Sequence, residues 1–322
     1  AIELVALWDA DDRILARPLA ALRTQPPFDV SAMDGFAVRA VDVATLPASL
    51  KLIGEAAAGH RYAGRVGSGE AVRIFTGAPV PDGADVIVIQ EDATFDHADV
   101  SVIAGKPDPA HVRKRGYDFT EGQQHLAAPL RLNARDITLA AAMGHARLPV
   151  HKRPRVALLA TGDELVLPGE PTGPDQIVCS NPFGIASLVR RAGGEPVFLG
   201  IAKDDRDELA AKLSDGGNCD ITVAIGGASV GDHDLVGPVL KELGMDLDFW
   251  KIAMRPGKPL MYGRLGSRHV LGLPGNPVSS MICSRIFLVP LIQALLGLNA
   301  GQDMPRDAIA GAAMSANGPR EH

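Results

Sequence analysis

Ile221-Thr222-Val223-Ala224-Ile225, followed by Gly226-Gly227-Ala228-Ser229-Val230-Gly231-Asp232-His233-Asp234, is the stretch that decides how this chain is read. An apolar strand-like run leads into a glycine-rich turn, and Leu235 to Leu243 continues with a helical pattern. A turn of this kind exposes backbone N–H groups at a helix N-terminus, which makes it a ready anion site. Asp232 and Asp234 would repel a bound anion unless a hard cation such as Mg²⁺ sat between them. The turn therefore reads as a site for a phosphate-like oxyanion together with a metal.

Outward from this turn, short apolar runs alternate with amphipathic ones: Val156 to Ala160, Phe183 to Ala192, Val197 to Ile201, Glu208 to Leu213, then the opening strand and helix. Such alternation predicts βαβ units and an α/β fold with a doubly wound, mostly parallel, helix-covered sheet. Phe249 to Met254, Leu260 to Tyr262 and Val270 to Leu273 extend it, and a long helix starts at about Pro277 with Asn276 as its N-cap. Between Leu50 and Val112 the runs shorten to Ala71–Phe75, Val86–Gln90 and Val100–Ile103, spaced by glycines, as in a small β-rich insert. Pro18 to Asp34 and Gly116 to Val150 flank the insert, and the simplest topology pairs them as a connecting domain. The expected organisation is 1–35 with 116–150 as an N-terminal helix and connecting domain, 36–115 as the inserted β-rich domain, 151–297 as the doubly wound domain, and 298–322 as the start of a truncated C-terminal β domain.

Composition narrows the function. With 32 Lys and Arg against 38 Asp and Glu and only 4% aromatic residues, the chain lacks both a polyanion-binding surface and base-stacking platforms, so nucleic acid is not an expected partner. Cys179, Cys219 and Cys283 have no C-x-x-C spacing and read as reduced packing residues. The acidic N-terminus is unlike a signal peptide, and Pro290 and Gln293 interrupt the longest apolar stretch, so the expectation is a cytoplasmic protein without a membrane span. The histidines show no metal spacing and are taken as structural. Dinucleotide, P-loop and nucleophile-elbow motifs are absent from the sequence.

In a doubly wound sheet, ligands lie beyond the carboxyl ends of the strands, so the turns there are read as one site. They are Thr161-Gly162-Asp163-Glu164, Lys203-Asp204-Asp205, the opening turn, Arg255-Pro256-Gly257-Lys258-Pro259 and Pro274-Gly275-Asn276-Pro277-Val278-Ser279. Asp204 and Asp205 read either as a helix cap or as metal ligands. Ser279 reads as a helix cap or an oxyanion donor, and Glu164 as an ion-pair partner or a ligand. Three strings in the N-terminal half have no helical or strand period: Pro26 to Val38, Ile74 to Pro81, and Arg113 to Asp118. They read as fixed loops or hinges, and the basic triplet Arg113-Lys114-Arg115 as a solvated face.

Taken together, Phe28 to Phe36, Phe75 to Pro81, Arg115 to Asp118, Thr161 to Leu165, Gly226 to Asp234, Arg255 to Pro259 and Leu273 to Ser279 resemble, in order, the molybdopterin molybdenumtransferase family, which includes the MoeA proteins and the gephyrin E domain. The resemblance implies molybdenum cofactor biosynthesis: molybdate enters the dithiolene of adenylylated molybdopterin, and Mg²⁺-assisted hydrolysis releases AMP. It implies catalytic roles for Asp34, Thr76, Asp118, Glu164, Asp204 and Asp234, with Glu164, Asp204 and Asp234 holding the metal. Thr161, Gly226, Gly227, Ser229, Arg255, Lys258, Pro274, Asn276, Pro277 and Ser279 would bind substrate. It further implies a homodimer in which Asp34, Thr76 and Asp118 reach the partner's site, with a molybdopterin adenylyltransferase and molybdoenzyme or cofactor-carrier proteins as partners. Arg255 stands where the family commonly has lysine, replacing a point donor by a planar fork, and Ala228 replaces a valine. Two other readings are an adenylyltransferase, resembling Val156 to Leu295 alone, and a non-catalytic dimeric scaffold of the gephyrin type.

Overall fold

The computed structural model describes residues 1–96, 98–106, 108–227, 235–299 and 311. Ala228–Asp234 lie outside them, and with them Ser229 and Asp234, as does most of the expected C-terminal segment 298–322.

The sheet that carries the cavity has strand order Glu195–Ala202, Arg155–Thr161, Ile221–Ile225, Arg268–Leu273, Met261–Leu265, Asp246–Trp250. The first four strands are mutually parallel, and the last two join by antiparallel pairing. Period-two alternation sends the side chains of each strand to opposite faces. Val156, Leu158, Val223 and Leu271 meet the helix Asn181–Ala192 and the helical stretch Pro277–Leu295 on one face. Leu159, Ala224 and Val270 meet the helices Arg206–Asp215 and Val236–Glu242 on the other. Both faces are covered, so the central strands read as near-continuous apolar runs.

The final helix is apolar enough by length and composition to cross a membrane. Here Cys283, Leu288 and Ile292 are fully buried against the sheet, while Val278 and Ile286 of the same stretch are exposed. A wider π-type turn over Ser284–Leu288 precedes Pro290, whose ring in a regular α-helix would meet the carbonyl of Ile286. Asn276 is the N-cap and accepts from the Ser279 N–H at 3.1 Å. Ser279 is therefore not the cap, and its hydroxyl remains available to other partners. Asn276→Ala should cost about 1 kcal/mol of stability, read as a lower urea midpoint.

The N-terminal half is built from β-structure. Ile2–Ala6 pairs with Arg147–His151, which also meets Ile14–Leu15, and that strand pairs with Leu130–Arg131. Leu19–Ala20 pairs with Gln124–Leu126, so residues before and after the insert are joined. The expected N-terminal helix is not found within 1–35: Ile2–Ala6 is extended, and Leu7–Asp9 makes a single 3₁₀ turn. The only α-helix among the described residues of this half is Ala134–Ala142, closed by a capping box between Asn133 and Asp136.

Between these segments lies a six-stranded sheet ordered Val86–Ile89, Gly35–Val38, Glu70–Ile74, Ala48–Ala56, Asp99–Val102, Ala93–Phe95. The string Pro26–Val38 is thus not loop throughout: Val30–Ser31 pairs with Val112–Arg113, and Gly35–Val38 is a fully buried strand inside the sheet.

Candidate functional site

Strand direction explains why five turns converge. Arg155–Thr161, Glu195–Ala202, Ile221–Ile225 and Arg268–Leu273 run the same way, so the turns after them lie at one edge of the sheet. Met261–Leu265 runs against Arg268–Leu273, and Asp246–Trp250 runs against Met261–Leu265. Two reversals restore the common direction, which brings the Arg255–Pro259 turn back to that edge. The helix connections reverse sense between the Arg155–Thr161 and Ile221–Ile225 strands, which is where such folds open a ligand crevice.

A cavity of about 740 Å³ occupies this position. Of the residues singled out from sequence, Thr161, Glu164, Asp204, Gly226, Gly227, Pro274, Asn276, Pro277 and Ser279 line it. From the fourth turn it is Pro259 that lines the cavity, whereas Arg255 and Lys258 are solvent-exposed beside it. Part of the wall was not anticipated. Leu165–Val166 and Ile177–Val178 pair as a two-stranded ribbon, and Leu165, Ile177 and Val178 present an apolar surface to the cavity. Asn181 lines it too, donating from Nδ2 to the Gly275 carbonyl at 2.7 Å and tying a helix start to the last turn. An Asn-Pro pair at a helix start was the available signal for this residue. The ribbon gave none, because its strands are two residues each and separated by a Pro- and Gly-rich stretch.

The polar groups are of three kinds. Thr161 Oγ1 is buried beside the Gly226 turn and has no hydrogen-bond partner among the described residues. Gly226 does not offer its N–H as expected, since that group donates to the Leu273 carbonyl at 3.0 Å. Its contribution is shape: φ is +95°, and a Cβ there would stand 2.7 Å from the Thr161 carbonyl oxygen. Glu164 and Asp204 supply carboxylates on the same cavity. Of the two adjacent acids, Asp205 caps the following helix, accepting from the Glu208 N–H at 2.9 Å, while Asp204 lines the cavity.

No group of three or more His, Cys, Asp or Glu side chains converges as a metal cage among the described residues. A pair of carboxylates nevertheless suits Mg²⁺, which characteristically binds through one or two carboxylates plus substrate phosphate and water. The donor set fits such a cation once a phosphate is present.

Asp34, Thr76 and Asp118 do not line this cavity. They sit on a second cluster, where the three irregular strings interlock. Asp29 accepts from Lys114 Nζ and from the Arg115 N–H, both at 2.8 Å. Burial would raise the Asp29 pKa, but these two donors and the lysine charge outweigh it and hold the carboxyl below its usual range. Lys114 is exposed, as expected of the basic triplet, and its ammonium also ties two of the strings together. The Gly77 N–H donates to the Ser31 carbonyl at 2.8 Å, and the Asp118 N–H to the Gln25 carbonyl at 3.0 Å. Asp34 Oδ1 accepts from both the N–H and the hydroxyl of Thr76, at 2.7 and 2.8 Å. The Thr76 N–H, then its hydroxyl, and to a smaller extent the Arg73 charge lower the Asp34 pKa, so it stays a carboxylate at neutral pH.

Of the cysteines, Cys179 lines the cavity, where burial and then the neighbouring Glu164 charge raise its pKa, whereas Cys283 is buried outside that lining. Burial pushes the Cys283 thiol up to about 11, and its Sγ lies 3.9 Å from the Gly257 carbonyl oxygen. At pH 8 the thiolate fraction should be on the order of one in a thousand. A disulfide-exchange reagent should therefore label Cys283 at least about a hundredfold more slowly in the native chain than in urea, followed by peptide mapping.

The molecule combines a doubly wound α/β domain, with an acid- and hydroxyl-lined crevice at its topological switch point, and an N-terminal half made mostly of β-structure. Residues 1–144 match the family described as MoeA N-terminal region (domain I and II), and residues 157–294 match the probable molybdopterin binding domain. The chain belongs to the molybdopterin molybdenumtransferase (MoeA) family. It is 40% identical over 307 residues to the molybdopterin molybdenumtransferase of Nostoc sp., covering 93% of this chain and 70% of that one. The Haemophilus influenzae molybdopterin molybdenumtransferase is 35% identical over 297 residues, covering 92% and 73%. Among solved structures, the molybdopterin biosynthesis MoeA protein from Pyrococcus horikosii superposes with a TM-score of 0.81 at 34% identity, over 92% of this chain and 76% of that one.

Proposed function

We propose that the chain is a molybdenum cofactor biosynthesis enzyme that inserts molybdate into adenylylated molybdopterin, with Mg²⁺-assisted hydrolysis and release of AMP. The observation that carries this reading is the convergence on one cavity of a buried hydroxyl without a partner among the described residues, two carboxylates and a capped helix start. Thr161 Oγ1, Ser279 and the helix N-terminus after Asn276 present donors and positive dipole to oxyanions. The ribbon of Leu165, Ile177 and Val178 offers an apolar, solvent-accessible face that the planar heterocycle would cover. Arg255 and Lys258, exposed beside the cavity, draw in the molybdate dianion and, in the case of Arg255, can grip it with a planar fork.

Glu164 and Asp204 would hold Mg²⁺, which when bound neutralises charge developing on a phosphoanhydride. The same carboxylates orient water for attack at the phosphorus that leaves as AMP. Asp34, Thr76 and Asp118 lie off the cavity of their own chain, and we assign them to the site of a second copy in a homodimer. A molybdopterin adenylyltransferase would supply the substrate, and molybdoenzymes or cofactor carriers would take the product. Adenylylation by this chain itself is disfavoured, because its similarity runs through the β-rich half as well as the α/β domain.

The test is anaerobic incubation of the purified chain with adenylylated molybdopterin, Mg²⁺ and molybdate. Molybdate-dependent AMP release together with reconstitution of a cofactor-free molybdoenzyme is expected. Binding without AMP release would leave the chain as a scaffold, and AMP release without reconstitution would remove the insertion step.

A further inference from the structure

Arg73 sits in an unusual place for a guanidinium. Its Cζ lies 4.8, 5.0 and 5.2 Å from the ring centroids of Phe36, Phe95 and Phe75, so three aromatic faces hold one cation. Phe36 is its direct cross-strand neighbour and is fully buried, and Phe95 packs edge-on against Phe36 with centroids 5.2 Å apart. Nη1 is inaccessible to solvent and has no hydrogen-bond partner among the described residues. Nη2 donates to Gln90 Oε1 at 2.8 Å. Leaving a guanidinium N–H unpartnered is costly, and the surrounding rings recover only part of that cost.

What the arrangement controls is next to it. The Gln90 N–H donates to the Asp34 carbonyl at 3.1 Å, and Asp34 is the residue that clamps Thr76 through both of its donors. Asp34 precedes the Gly35–Val38 strand and Thr76 follows the Glu70–Ile74 strand, and these strands pair Gly35 to Ile74 and Phe36 to Arg73. The guanidinium therefore fixes Gln90 from one side while its own strand carries Thr76 from the other. Its planar fork can do this in one orientation only, because the rings limit its rotamers.

We propose that Arg73 is a positioning residue for the Asp34–Thr76 pair: it acts through Gln90 and the Asp34 backbone to hold that carboxylate and hydroxyl in their working geometry. The proposal rests on the reading that Asp34 and Thr76 act in the transferase reaction. It places Arg73 outside contact with substrate, so its loss should affect turnover rather than binding.

The experiment compares R73Q, R73K, D34N and the R73Q/D34N double variant as full chains, by steady-state AMP release with adenylylated molybdopterin, Mg²⁺ and molybdate. D34N should lower kcat, and R73Q should lower kcat by about tenfold or more with KM within about twofold, as misplacement of a reacting group predicts. R73K keeps the cation among the rings but not the fork that holds Gln90, so it should recover part of the loss and leave a kcat deficit of about threefold. In the D34N background, R73Q should cost less than about a further twofold, because the route through Asp34 is already gone. Full kcat in R73Q alongside a reduced D34N overturns the proposal alone. Losses that multiply in the double variant also overturn it, since they mark a general packing role. Full kcat in D34N overturns the assignment of Asp34 itself, and the proposal with it. If R73Q does not fold, the same comparison of R73K, D34N and R73K/D34N decides, with a kcat deficit in R73K that vanishes in the D34N background as the supporting result.

Discussion

Glu164→Ala should lower kcat for molybdate-dependent AMP release by about a hundred- to a thousandfold, with little change in the urea midpoint. The two halves of this expectation have separate causes. Glu164 lines the cavity at the carboxyl end of the first strand of the α/β sheet, beside Thr161 and across from the Gly226 turn. Removing a group that stabilises charge developing in a transition state costs on the order of that factor. The fold depends instead on its backbone, whose carbonyl accepts from the Ile177 N–H at 2.8 Å and survives truncation of the side chain. Among the described residues the carboxylate accepts no hydrogen bond that alanine would leave unmet. Activity within about threefold of the parent would remove Glu164 from the chemistry.

Gly226→Ala should cost about 2–3 kcal/mol of stability and abolish measurable turnover. An L residue at φ +95° is strained by about 1–3 kcal/mol before any neighbour is considered. The added methyl would also stand 2.7 Å from the Thr161 carbonyl oxygen and 3.0 Å from Thr161 Oγ1, so one of two adjoining strand ends must move. Gly226 is tied to a third strand end through its bond to Leu273, so movement there would spread to the Pro274–Ser279 turn. Thermal and urea melts combined with AMP release would check both parts. A variant of parental stability would show that the turn is pliable and the shape argument unsound.

The α/β half was legible because its central strands are buried on both faces. Ile221–Ile225 and Val156–Ala160 present apolar runs that need no partner to be recognised, and the helix start at Asn276-Pro277 follows from local chemistry alone. The β-rich half was less so. Gly35–Val38 is a central strand, yet four residues after a string of prolines and acids offer no period to detect. Ala48–Ala56 and Ala93–Phe95 also escaped, because what makes them strands is their neighbours in the sheet rather than their own pattern. At the site, the turns were readable individually, and their convergence followed from strand direction. The apolar ribbon and the withdrawal of Arg255 and Lys258 from the lining were not, since both depend on how a loop returns across the sheet.

The doubled reversal of the last two sheet strands has a practical side. It gathers every ligand-facing turn on one rim of the α/β sheet, so the connection at Leu265 to Arg268 falls on the opposite rim, where Gly266 adopts φ +63° with open space around its Cα. A tether or reporter grafted into that hairpin would anchor the molecule with its mouth turned toward solution. The sheet thereby has a working rim and a handle, which immobilisation or fluorescent labelling could exploit without touching the chemistry.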